Sequence, residues 1–470
     1  MKKPIRLGIL ALLFLSFLSA CESGNDEPPI QQPLSAGEWT WISGSDALNQ
    51  EGIYGTQGIA STSNVPSARR YAASWLGSDG KLWLFGGEGP SSASYPTSWL
   101  NDLWKYDPTA DEWTWISGSN LLNQIGIYGT KGSPSPSNIP GARRYAISWA
   151  DSSGKLWLFG GEGYDSTGNW DYLNDLWKFD PTALEWTWIS GSNLLDQPGN
   201  YGTKGVAAPS NVPGARYQSI SWIDANGKLW LFGGYGFATS GNYGWLNDLW
   251  NYDPITLAWT WVSGSNTPGQ VGVYGTKGIA APTNIPGARK QAVSWIDSSG
   301  RLWLYGGDGK DATGGTGLLG DLWKYDSITH NWTWEAGTIT GNQSAVYGTR
   351  GIAASSNTPG PRAEAISWID ASGKLWLFSG DISSATLIND LWMYDRTSLK
   401  WTWVSGSNTN SQSGTYGTKG IASSSNVPGA RMGAISWIDS QGRLWSFGGW
   451  GYASSAFSQG LLNDLWYHTR

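Results

Sequence analysis

Six arginines recur at matched places in this 470-residue chain: Arg69, Arg143, Arg216, Arg289, Arg362 and Arg431. A guanidinium is a flat fork of donors that fits a carboxylate or a phosphate, so such a set either pairs with the protein's own acids or takes an anionic ligand. Glu88, Glu162, Asp308 and Asp381 each follow a Gly-Gly or Ser-Gly pair and are the partners expected for a structural role, together with loop carbonyls. Six copies of one contact favour architecture over recognition, because a ligand rarely needs the same contact six times.

A second set of residues is aromatic and irregular. It comprises Trp99; Trp170 and Tyr172; Tyr235, Tyr243 and Trp245; and Trp450 and Tyr452, with Tyr95, Tyr164, Phe237 and Phe457 beside them. These rings stand among Ser, Gly, Asn and Thr. That mixture joins flat apolar contact to adaptable hydrogen bonding and suits a protein or a glycan, although such rings also serve to pack on their own loops.

Other chemistries lack their residues. His330 and His468 are the only histidines and Cys21 the only cysteine, so no His- or Cys-rich metal site, Ser-His-Asp triad or Cys-His pair is expected. Gly160-Gly-Glu-Gly163 is followed by a strand pattern and not by a helix, which removes the phosphate-cradle reading. The oxygens between Asp165 and Asp171 lack the closing glutamate of an EF-hand loop. No cofactor or metal is expected.

Lys2, Lys3 and Arg6 precede an apolar run from Leu7 to Leu18 that is short for a bilayer span, the pattern of a secretion signal over residues 1–20. Leu18-Ser-Ala20 before Cys21 resembles the lipobox of bacterial lipoproteins, which implies a diacylated Cys21 and a lipid-anchored mature chain. Glu22, where an inner-membrane sorting signal would carry Asp, points by the same resemblance to the outer membrane of the cell envelope. Residues 21–37 then read as an extended tether, with acids, Ser and two adjacent prolines. Removing the three basic signal residues leaves 27 basic against 36 acidic side chains, a net charge of −9 that argues against nucleic acid as a partner. Membrane contact is expected through the lipid alone, and the folded part is expected to be a monomer.

The elements that must position these residues come from one repeat. Trp-Thr-Trp begins at Trp39, Trp113, Trp186, Trp259, Trp332 and Trp401, at intervals of 74, 73, 73, 73 and 69. Asp-Leu-Trp begins at Asp102, Asp175, Asp248, Asp321, Asp390 and Asp464, preceded by Asn in every unit but the fourth, which has Gly320. In the second unit, Arg144 to Trp149 reads as a strand, Asp151-Ser-Ser-Gly154 as a turn, and Lys155 to Phe159 as a second strand ending at Gly160-Gly161. Asn174 to Phe179 and Glu185 to Ile189 follow as the third and fourth. No helical period competes, so each unit is expected to be a four-stranded antiparallel sheet in an all-β chain.

These markers resemble the Kelch repeat: a small-residue first strand, Gly-Gly after the second, Asn-Asp-aromatic in the third and a late Trp. The match runs from Glu38 onward, with Ser379-Gly380 the slight departure in the fifth unit. The resemblance implies that residues 38–470 form a six-bladed β-propeller around a central channel. The repeat region begins on a fourth-strand marker at Trp39 and ends just after a third-strand marker at Trp466, so residues 38–42 are expected to complete the sixth blade and close the ring. Of 34 tryptophans, 30 fall at five fixed places per unit and read as packing between blades; Trp99, Trp170, Trp245 and Trp450 fall outside the pattern, in the segment between second and third strands.

In such blades that segment and the interblade connection emerge on one face. The interblade connection is nearly uniform, with Tyr-Gly-Thr at Tyr54, Tyr128, Tyr201, Tyr274, Tyr347 and Tyr416 and then an Asn-X-Pro such as Asn211-Val-Pro213, and reads as an ordered connector. The segment between second and third strands varies, and binding is expected there. The expected function is noncatalytic binding or adhesion at the envelope, toward a protein or glycan. The alternative is a metal-independent sugar-modifying enzyme. Galactose oxidase chemistry needs copper, histidine ligands and a Tyr linked to Cys, for which the residues are lacking. A sialic acid mutarotase has a similar fold and no metal, and an activity of that kind would use Arg362 with Glu364, or Arg143 with Glu162.

Overall fold

The computed structural model describes Met1 and residues 37–90, 98–239, 241–454 and 458–470. The signal segment after Met1, Cys21 and all of the tether before Gly37 lie outside the described residues, as do Tyr95 and Phe457. The chain divides between Gln32 and Pro33, and every described strand belongs to the second part. Regular structure among the described residues is β-strand throughout, arranged in antiparallel sheets of three to five strands that are compatible with a β-propeller.

The second unit shows how sequence becomes strand. Ile147–Ala150, Leu156–Tyr164, Trp170–Asp180 and Glu185–Ser190 pair in order, with Trp149 opposite Trp157 and Trp177 opposite Trp188. The first turn is held by Asp151, whose Oδ1 accepts the amides of Ser153 and Lys155 at 2.9 and 3.0 Å. Its Oδ2 accepts Trp157 Nε1 at 2.7 Å, so the residue that makes the turn also locks the ring of the next strand.

Two expectations about strand limits need correction. The second strand does not end at Gly160-Gly161: the ladder shifts register between Phe159 and Gly161 and runs on to Tyr164. Glycine is favoured there, since a Cβ on Gly160 (φ +62°) would lie 2.9 Å from Leu173 O and 3.0 Å from Arg216 O. In the fifth unit Ser379 takes this conformation (φ +65°), and its Oγ donates to Arg431 O at 2.6 Å. Because the hairpins continue past the bulge, Trp99, Trp170, Tyr172, Tyr235, Tyr243, Trp245 and Trp450 stand on strands and not on loops; Tyr452 alone of that set lies beyond its strand. The first strand is broken as well, into Arg143–Arg144 and Ile147–Ala150, by Tyr145 at φ +59°.

The fourth unit departs most. Its ladder parts at Gly306-Gly307 into a four-stranded and a three-stranded sheet. Gly320 replaces the Asn of the other units, and a Cβ there would meet Pro361 N at 3.0 Å, so the glycine makes room for the neighbouring proline.

Tryptophan packing holds neighbouring units together. Each apolar cluster draws from two units: Trp149, Trp157 and Phe159 of the second pack with Leu229, Leu231, Trp250 and Trp259 of the third. A fully buried Trp contributes roughly 4–6 kcal/mol of transfer free energy as an upper bound. Leu82, Leu84, Trp104 and Trp113 of the first unit pack with Trp437, Trp445 and Phe447 of the sixth. The opening strand Glu38–Ser43 pairs antiparallel with the closing strand Gly460–Thr469, Trp41 opposite Trp466.

Candidate binding site

The six arginines are buried, each 1–2% exposed, and none lines a surface. Each makes a two-pronged ion pair of 2.7–2.9 Å with the aspartate of Asp-Leu-Trp in its own unit: Arg69 with Asp102, Arg143 with Asp175, Arg216 with Asp248, Arg289 with Asp321, Arg362 with Asp390 and Arg431 with Asp464. The partners are therefore not Glu88, Glu162, Asp308 and Asp381. Asp248 shows why: its carboxylate also accepts Tyr201 Oη at 2.6 Å and Trp250 Nε1 at 2.8 Å, so four donors offset its burial. Tyr201 belongs to the repeated Tyr-Gly-Thr, and Asn211 of Asn-X-Pro donates to Trp259 O at 3.1 Å, so the uniform connector is an ordered, bonded segment. Neither imagined Arg–Glu pair forms, because Arg362 and Arg143 face these aspartates.

The residue after each arginine faces outward from this cluster and opens a row of three across the strands. The rows are Arg70, Glu88 and Trp99; Arg144, Glu162 and Tyr172; Tyr217, Tyr235 and Trp245; Lys290, Asp308 and Leu318; Ala363, Asp381 and Leu387; and Met432, Trp450 and Leu461. No two rows are alike. The acids first assigned to the buried arginines serve here: Glu88 accepts Arg70 Nη2 at 2.7 Å and also Arg144 Nη1, while Glu162 accepts Arg144 Nε at 3.0 Å. Burial pushes the Glu162 carboxyl up, against the opposing pull of Arg144.

The aromatic candidates gather in two groups. Trp99, Trp170 and Trp450 line a cavity of about 500 Å³ with Glu88, Arg144 and Glu162. Trp170 is 45% exposed and meets the buried Trp99 edge-on at 5.2 Å; Arg70 lies over Trp450 at 4.8 Å. Tyr452 joins this group indirectly, since Gln459 donates to Tyr452 Oη and accepts from Trp450 Nε1. Tyr172, Tyr243 and Trp245 form the second group around Tyr235, together with Tyr217, with ring separations from 4.9 to 6.4 Å.

One residue further along each inner strand lies a hub that sequence reasoning did not single out as a set. Tyr71, Tyr145, Gln218, Gln291, Glu364 and Gly433 all have φ between +56° and +63°. Each amide donates to the carbonyl of the preceding unit's member, Tyr145 to Tyr71 and onward to Gly433 on Glu364, and Tyr71 N donates to Gly433 O at 2.9 Å, which returns the series to its start. The left-handed conformation costs about 1–2 kcal/mol at each non-glycine position, which the ring of bonds offsets. Glu364 reaches inward and accepts from Tyr71 Oη at 2.7 Å, Gln218 Nε2 at 3.2 Å, Tyr145 Oη at 3.4 Å and Gln291 Nε2. Burial raises the Glu364 pKa in spite of these donors. Behind the hub lies a cavity of about 180 Å³ collared by Ala72, Ala146, Ala292, Ala365 and Ala434.

A signal for rows and hub was present: in the six segments after each repeated arginine, two consecutive positions vary within an otherwise constant frame. Among the described residues no three His, Cys, Asp or Glu side chains gather as a metal site, and no helix is long and apolar enough to cross a membrane. No family model matches the chain.

Proposed function

We propose that the chain is a six-bladed, Kelch-type β-propeller, exported and anchored through a lipid on Cys21, that binds a protein or glycan at the bacterial envelope through the face formed by the three-residue rows. The observation that carries this reading is the contrast between constant and variable positions. The Arg–Asp–Trp core of the repeated cluster is the same in six units and buried, whereas the rows beside it differ in every unit, and three of them supply Glu88, Trp99, Arg144, Glu162, Trp450 and Leu461 to the lining of the 500 Å³ cavity. Six-bladed closure is supported by the pairing of Glu38–Ser43 with Gly460–Thr469 and by the returning series of hub hydrogen bonds. The test is a glycan array beside a pull-down of envelope proteins, with the full chain and with Trp170→Ala and Tyr243→Ala. A ligand lost in either variant supports the reading, and retention of every ligand in both counts against it. Cys21→Ser should move the protein from the membrane to the soluble fraction.

A sugar-modifying activity has one observation in its favour, the raised pKa of Glu364 beside Tyr71 at the head of a cavity. Turnover of sialic acid anomers by the full chain, abolished in Glu364→Gln, would establish it.

A further inference from the structure

We infer that the cavity walled by Trp170 and Trp450 is a subsite for an uncharged saccharide unit, an inference that rests on the binding function proposed above. Three features point to that chemistry. The first is a flat apolar wall offered to a ligand: Trp170 is 45% exposed, and its position is set by the edge of buried Trp99 at 5.2 Å and 88°. A sugar ring carries an apolar face of C–H groups and a rim of hydroxyls, and an amphipathic indole held by a rigid neighbour receives that face with little loss of side-chain freedom.

The second feature is the charge in the cavity lining. Glu88 bridges Arg70 and Arg144, and Arg144 bridges Glu88 and Glu162, so two cations alternate with two anions. These four groups sum to zero. An anionic sugar would have to draw Arg144 away from two carboxylates already in contact, and Asp171, on the strand beside Glu162, adds only negative charge. Hydroxyls meet no such conflict, since each both donates and accepts and can join the network without breaking it.

The third feature is unspent hydrogen-bonding capacity. Arg144 approaches Glu162 through Oε2, and no hydrogen bond forms to Oε1 among the described residues. This oxygen is an acceptor for a ligand hydroxyl in the same cavity that Trp170 lines. A largely buried acceptor whose use depends on the ligand discriminates against ligands that lack the hydroxyl. A volume of about 500 Å³ is in the ordinary range for a small-ligand site.

The experiment uses the full chain in detergent on an array of neutral, uronic-acid-containing and sialylated oligosaccharides, with Trp170→Ala, Glu162→Gln, Tyr243→Ala and Ile255→Ala alongside and thermal melts of each. Neutral oligosaccharides should be retained, weakened about tenfold or more by Trp170→Ala and by Glu162→Gln, and unchanged by a control, Ile255→Ala, whose side chain is 87% exposed and belongs to neither aromatic group. Trp170 is exposed enough that its loss should leave the melt unchanged. Binding confined to acidic glycans would overturn the uncharged subsite while leaving the binding function intact. So would a glycan lost only in Tyr243→Ala, or a protein partner, and no glycan, lost in Trp170→Ala. Absence of any glycan or protein ligand would remove both proposals together.

Discussion

Tyr71 donates its phenolic hydrogen to Glu364 Oε2 at 2.7 Å across 293 positions of chain. The bond exists because Gly433, the sixth member of the hub, has no side chain. A Cβ on Gly433 would fall 2.2 Å from the Tyr71 ring, so the tyrosine lies in the space the glycine leaves and stacks on Tyr145 at 3.9 Å. One carboxylate thus collects donors from four other units.

Gly433→Ala should displace Tyr71. The clash falls on a ring already stacked on its other side, so we expect a loss of about 1–3 kcal/mol. Urea denaturation measures it, and Tyr71→Ala in the same background should remove the part due to the clash while leaving a further cost of about 1–2 kcal/mol from an alanine held at φ +63°. Full additivity of the two changes would show that the glycine acts elsewhere.

Glu364 should make stability depend on pH with a definite sign. Burial raises its folded-state pKa above the unfolded value of about 4.3, so the folded state holds this proton more tightly. The stability it contributes is full below about pH 4.3 and is lost as pH rises through the folded pKa. Glu364→Gln cannot lose that proton and should gain relative to the parent as pH rises from about 4 toward 8, measured by paired urea titrations. Carboxylates with lowered pKa, such as Asp321, act in the opposite direction but equally in both proteins and cancel in the difference. A difference independent of pH would contradict this account.

Asp248→Ala should be costly. It strands the buried Arg216 charge and leaves Tyr201 Oη and Trp250 Nε1 without their acceptor, for an expected loss of about 3–5 kcal/mol. Asp308→Ala, whose nearest cation Lys290 is 3.9 Å away in a partly exposed row, should cost under about 1 kcal/mol. Denaturation midpoints of the two variants give the comparison, and similar losses would refute the division between buried cluster and variable row.

Trp39→Ala should cost as much as Trp186→Ala, about 3–5 kcal/mol each. Trp39 is 2% exposed, lies 5.0 Å from Phe378 and accepts Asn426 Nδ2 on its carbonyl at 3.1 Å; Trp186 is 1% exposed, lies 5.4 Å from Phe85 and accepts Asn138 Nδ2 at 3.0 Å. The opening strand therefore has the environment of an interior fourth strand. Thermal melts of the two variants should fall together, and a nearly neutral Trp39→Ala would mean that this strand contributes little to the fold.

The repeat, its strand content and the packing role of most tryptophans were legible in the linear order of residues, because alternation, Gly-Gly pairs and turn aspartates act within a few positions of themselves. The direction of each arginine was not. Glu88 and Asp102 both follow Arg69 in one unit, and only the register of the third strand, shifted by the bulge at Gly86-Gly87, decides that Asp102 reaches the guanidinium while Glu88 turns to Arg70. The hub lay further out of reach. Its members are about seventy residues apart and of four different types, and what unites them is a backbone conformation and a bond to the next unit, which no composition records. Local chemistry along the chain determined what each unit is; bringing six such units side by side decided which side chains are buried as shared structure and which differ from unit to unit in the rows beside it.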